Sequence, residues 1–193
     1  MTLLDARESQ PLRGGPSFSL GHRAFRAAWI FVWLLLAAWT PAPLHRWRVW
    51  LLNRFGAKLH PTVHVYGSTR VWYPPNLMMA ANSCLGPGVN CYCMAPIRLE
   101  HGAIVSQGTH LCAGMHDIED PKFQLLTKPI VIGAHAWIAA EAFVGPGVTI
   151  GEGAVLGARS VTFRNAVPHG VYVGNPAQLI RQRQLHAEGV GHA

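Results

Sequence analysis

The sequence is short of charge, and above all of acid: charged residues make up 13% of 193, with nine Asp and Glu against sixteen Lys and Arg, a net charge of +7. So little charge excludes long solvated helical faces, and the 20 Gly and 14 Pro call instead for many short turns. Cysteine is sparse too. Cys84, Cys91, Cys93 and Cys112 include no second pair at zinc-site spacing, and Cys91 falls in an apolar position of the repeat described below. With no convincing export signal, reduced thiols in a cytoplasmic protein are expected. Long apolar runs are missing as well: the longest, Ala27 to Trp39, has 13 residues, against the roughly 20 that a bilayer span needs. The excess of base fits an anionic ligand or a lipid surface. Nucleic acid is disfavoured, because the basic residues are scattered and accompany no recognised module.

What the chain has is a rhythm. Ile132, Ile138, Val144, Ile150, Leu156 and Thr162 recur every sixth residue, each of the first five followed by Gly or Ala, with a small or β-branched residue four places on. A helix cannot use this pattern, since six residues advance it by about 600° and the apolar stripe would wander around its surface. Upstream the spacing returns as Leu59, Val65, Val71, then Met79, Leu85, Cys91, then Leu99, Val105, Leu111. Groups of three imply a triangular coil with one aliphatic side chain per face and a small residue near each corner; stacking the coils buries aliphatic ladders that no coil could bury alone.

These hexads resemble the left-handed parallel β-helix of the hexapeptide-repeat acyltransferases over Leu59 to about Arg183. The longer phrases SQG, LCAGMHD, KPIVIG and GNPA resemble the sugar O-acetyltransferases of the maltose, galactoside and nodulation-factor type, in particular their colanic-acid and exopolysaccharide biosynthesis branch. The fold class expected is therefore all-β: a left-handed β-helix with N-terminal helices and a short C-terminal capping helix. Its expected divisions are a flexible segment 1–20, an apolar and amphipathic helical hairpin 21–56, the β-helix 57–176 with an extruded loop 112–131, and a helix and tail 177–193.

The rhythm fails between Leu111 and Ile132, where the chain cannot be wound into hexads and must leave the coil. His116 lies near the start of this excursion and matches the family's general base. An imidazole suits that task at neutral pH, because a sugar hydroxyl must lose a proton as it attacks a thioester. The resemblance implies a homotrimer with active sites at subunit boundaries, acetyl-CoA as acyl donor, no metal, and a sugar or glycan-precursor acceptor. It also implies that the Ala140 N–H meets the oxyanion and that the pantetheine arm runs past Ala140 and Ala158 with Trp137 on the wall. Asp117 or Glu141 are candidates to orient the His116 ring. Arg159, Arg164, Arg181 and Arg183 form a basic cluster suited to phosphates. Here Arg164 replaces the family's usual lysine, and Phe163 stands where relatives have a threonine. Asn90, Tyr92 and Met94 are the candidate acceptor contacts, whereas His110 and His135 occupy variable hexad positions.

Two rival readings use the same residues. A zinc hydratase of the γ-carbonic-anhydrase type needs three histidines across a subunit boundary, and His110, His116 and His135 supply the count without the spacing. A noncatalytic trimeric scaffold at a membrane surface is the other. Residues 21–56, rich in Trp and flanked by Arg, are expected to pack on the coil or lie in a membrane interface, so the protein is expected to be cytoplasmic, free or peripheral at the inner face of the cytoplasmic membrane.

Overall fold

The computed structural model describes residues 15–184, and the hexads within them wind into a parallel β-solenoid. Each hexad becomes a strand of two or three residues whose aliphatic residue points inward, as in Lys58–Leu59, His64–Val65 and Arg70–Val71 of the first coil. Three flat faces result. Leu59, Met79, Leu99, Ile132 and Ile150 stack in register along the first. Val65, Leu85, Val105, Ile138 and Leu156 follow on the second, and Val71, Cys91, Leu111, Val144 and Thr162 on the third. All fifteen are buried, so apolar burial at about 25 cal/mol per Å² supplies the main cohesion. A sixth, partial coil follows, with Ala166 bridged to Ile150 and Gly170–Val173 paired with Val155–Leu156.

The small residues in the repeat answer to close approach. A Cβ built on Gly133 would lie 2.7 Å from the backbone nitrogen of Glu152 in the next coil, a distance that only glycine tolerates. Ala136, Ala142, Ala154 and Ser160 are buried just ahead of the next strand.

At the strand ends N–H groups donate to the coil that follows, as His60 to Met79 O, Tyr66 to Leu85 O and Trp72 to Cys91 O, while corner N–H groups such as those of Gly102 and Gly153 donate back to Ala81 O and Ala134 O of the coil before. No coil precedes the first, so its outward carbonyls need other donors, and the N-terminal helices answer this need. Helix α1 (Leu20–Leu36), capped by Ser19, sends Trp29 Nε1–H to Val71 O at 2.7 Å and Trp33 Nε1–H to Gly67 O at 3.1 Å. Helix α2 (His45–Arg54) sends Arg48 Nε–H to Val65 O at 2.6 Å, and its Asn53 amide brackets Leu59. Side chains pointing away from the coil stay exposed, among them Ile30, Phe31, Leu34 and Trp39. Among the described residues no helix is long and apolar enough to cross a membrane.

The C-terminal helix expected from Ala177 onward is not formed. Gln178–Gln182 is a strand, antiparallel to Gly170–Val173 across the turn at Gly174 to Pro176. The last coil ends in an open sheet edge, and a returning strand pairs its backbone groups where a helix would leave them bare. The remainder of the expected tail, 185–193, lies outside the described residues, as does 1–14 of the expected N-terminal segment.

Candidate active site

The chain between the third and fourth coils leaves the corner that joins the third face to the first. Gly114–His116 pairs antiparallel with Leu125–Thr127, so the excursion is a β-hairpin, with His116 opposite Leu125. His116 is held from one side. Its ring stacks on Phe123, with centroids 4.4 Å apart and planes 9° apart, and its Nδ1 lies 2.9 Å from the Phe123 carbonyl oxygen. A carbonyl can only accept, so Nδ1 carries a proton, and in the neutral ring Nε2 holds the lone pair. Such an imidazole can take a proton at Nε2.

Asp117, expected beside the ring, turns elsewhere: its Oδ1 accepts the Glu119 N–H at 3.1 Å, and Asp120 Oδ1 accepts the Lys122 N–H at 2.7 Å. These two carboxylates fasten the hairpin tip. The ring's partner is a backbone carbonyl, which no residue type announces in a sequence.

His116 lines a cleft of about 410 Å³ together with Tyr92, Met94, Phe18, Arg23 and Arg26. Of the three candidate acceptor contacts, Tyr92 and Met94 thus come together with His116. Asn90 instead lines a neighbouring apolar cleft with Trp29 and Trp33, its Nδ2 3.3 Å from His110 Nε2. Burial pushes the Tyr92 phenol up, with Cys112 adding to the effect and Arg26 opposing it, so the hydroxyl stays protonated at neutral pH. The sequence reading missed Phe18, Arg23 and Arg26. The three-residue spacing of the arginines was visible, but nothing in it names the helix face that meets the hairpin.

The remaining candidates occupy other edges. Ala140 and Ala158 stack at the corner between the second and third faces, joined by the Arg159 N–H donating to Ala140 O at 2.9 Å. Beside Ala140, Glu141 adopts φ +58° and its carboxylate pairs with Arg159 rather than with His116. The Ala140 N–H has no backbone acceptor among the described residues. Trp137 lies outward on the second face, 46% exposed, its Nε1–H donating to Ser106 Oγ at 2.9 Å. Phe163 and Arg164 follow the third face at the next corner, Phe163 beside Phe143 with centroids 5.5 Å apart. Arg181 sits on the final strand opposite Val171, and Arg183 donates to Gly153 O at 3.1 Å. The basic candidates are therefore spread over more than one edge of the prism.

His110 stands on the third face against Phe143, and His135 at a corner against His101. Among the described residues no three His, Cys, Asp or Glu side chains of one chain converge as metal ligands would.

Residues 129–164 match the family described as bacterial transferase hexapeptide (six repeats). Over 155 residues the chain is 41% identical to the Escherichia coli (strain K12) protein named for colanic acid biosynthesis as acetyltransferase WcaF, covering 80% of this chain and 85% of that one. The chain belongs to the hexapeptide-repeat acetyltransferases. Among solved structures, a maltose O-acetyltransferase from Clostridium difficile 630 superposes on the acetyltransferase with a TM-score of 0.76 at 21% identity, over 86% of this chain and 90% of that one. A hexapeptide-repeat acetyltransferase from Vibrio cholerae O1 biovar eltor, complexed with acetyl coenzyme A, gives 0.74 at 21% identity over 88% and 93%. At this identity the two structures establish the shared fold of the acetyltransferase.

Proposed function

We propose that the protein is an acetyl-CoA-dependent O-acetyltransferase that acts on a hydroxyl of a sugar or exopolysaccharide precursor, with His116 as general base. The observation that carries this reading is His116 on the wall of the cleft, with Nδ1 bonded to Phe123 O and Nε2 free to accept. The name of the Escherichia coli relative supports the acceptor class, and the complex of the Vibrio cholerae protein supports the donor. As the acceptor hydroxyl attacks the thioester carbonyl, Nε2 takes its proton and a C–O bond forms. The oxyanion meets the Ala140 N–H. Collapse breaks the C–S bond, and the departing sulfur recovers the proton from His116.

His116 and Ala140 lie at different corners of the prism, which supports the trimer: one protomer's hairpin would meet a neighbour's Ala140 edge, each solenoid being wound in the left-handed sense usual to the family. Trp137, Ala158 and the basic residues Arg164 and Arg181 would then accompany the donor, with Phe163 beside them and Tyr92 and Met94 beside the acceptor. Asn90 and Asp117 fit these roles less well, given the partners they already have.

The test is release of free CoA from acetyl-CoA with a panel of sugars. His116→Ala should lower kcat by about 10²–10⁴-fold, the usual contribution of a positioned base, with thermal melting and acetyl-CoA binding retained. Wild-type turnover in this variant would overturn the assignment. The exposed apolar side of α1 is the surface for peripheral membrane contact, and sedimentation with anionic vesicles tests it, since protein left wholly in the supernatant would refute the contact.

A further inference from the structure

Among the described residues, the cleft beside His116 has two cations and no neutralising acid. Arg23 and Arg26 line it from α1, one turn apart, and none of the other lining residues is Asp or Glu. Arg26 is half-buried, with its Cζ 4.3 Å above the Trp72 ring. Burial pushes its guanidinium down; Tyr92 opposes that push, and the positive charge of Arg23 adds to it. Among the described residues, the buried side-chain nitrogens without a hydrogen-bond partner are Arg26 Nε and the two ring nitrogens of His22. All belong to this one stretch of α1. His22 itself packs against Phe18, Trp72 and Tyr73, with centroids 4.7, 5.3 and 4.6 Å away.

Native proteins seldom leave a buried guanidinium nitrogen unpaired, and two adjacent cations repel unless an anion lies between them. The wall that carries them also carries His116, and a cleft of about 410 Å³ suits a small ligand such as a sugar unit. We propose that the acceptor carries an anion, a phosphate ester or a carboxylate, which Arg23 and Arg26 bind while its hydroxyl faces His116. This deepens, and rests on, the acetyltransferase reading above. Arginine suits the role because its planar fork meets phosphate and carboxylate oxygens in pairs, while Trp72 supports the guanidinium from behind.

The experiment compares three acceptors built on one sugar, namely galactose, galactose 1-phosphate and galacturonic acid, by CoA release from acetyl-CoA. The same preparations are then titrated with inorganic pyrophosphate by calorimetry. An anionic acceptor should exceed galactose in kcat/KM by about 10- to 100-fold, the scale of a charge-assisted hydrogen bond. Which anion wins separates phosphate from carboxylate. In Arg26→Gln and Arg23→Gln that ratio should fall toward one through the acceptor KM, and Arg26→Lys should recover part of it. Pyrophosphate should bind the wild type and lose its heat in the double variant. Equal use of neutral and anionic sugars, or an effect of Arg26→Gln on the KM for acetyl-CoA instead of the acceptor, would overturn the proposal and leave the acetyltransferase reading standing. Absence of CoA release with every sugar would count against that reading, and the pyrophosphate titration would still decide whether the cleft binds anions.

Discussion

Arg48 and Arg26 both reach from an N-terminal helix to the β-solenoid, and they meet opposite surroundings. Arg48 is fully buried, yet every arm of its guanidinium finds oxygen: Nε–H on Val65 O, Nη1 on Pro41 O and Thr40 Oγ1, Nη2 on Ala42 O. Among the described residues no carboxylate is involved. Arg26 is less buried, rests on an aromatic ring and leaves its Nε without a partner among the described residues. A cation surrounded by the chain's own carbonyls holds the first coil closed; a cation whose partners must come from outside is a site. The contrast separates architecture from recognition within a single pair of helices.

The sharpest way to break this contrast is Arg48→Ala. Removing it strands several buried carbonyls at the floor of the solenoid, and an unfolding loss of about 3–5 kcal/mol is expected in urea. A loss under about 1 kcal/mol would mean that the coil closes without that arginine. A smaller effect should follow pH. Burial, aided by the charge of Arg26, holds the His22 imidazole below its ordinary value of 6.5, so the unfolded chain binds this proton more readily than the folded one. Stability from His22 is complete above that value and is lost as pH falls below it. His45 and His110, also lowered chiefly by burial, act in the same direction. Thermal melts between pH 7.5 and 5, on the order of the range where histidine titrates, should therefore fall with acid, and His22→Phe should flatten that fall in part; an unchanged slope would refute the coupling. The smallest effect belongs to Arg26→Gln, which loses its contacts with the Trp72 and Phe18 rings and should cost about 1 kcal/mol or less. A loss as large as that of Arg48→Ala would erase the distinction between the two arginines.

The coil was legible because its rule is local and one-dimensional: an aliphatic residue every sixth position cannot serve a helix, and the strands stack in that order. The C-terminal strand was not legible, since QLIRQ takes its form from an open edge that only the assembled solenoid presents. At the site, His116 stood out as the point where the rhythm fails, and Tyr92 and Met94 proved to share its cleft. Phe123 O and Arg26 were invisible for different reasons. The first is a backbone atom, and the second depends on the face that α1 turns to the hairpin. Asp117 shows the converse, for adjacency in sequence does not aim a side chain, and its carboxylate is spent on the turn that follows.

The insertion carrying His116 interrupts the sequence but not the ladder: Ile130–Ile132 lies on Ile97–Leu99 in unbroken parallel register. Corners of this solenoid are therefore ports into which a chain of almost any length can be spliced without disturbing the spine. Selection can lengthen, shorten or rewrite such an arm, and so change what the enzyme accepts, while folding proceeds from an untouched template.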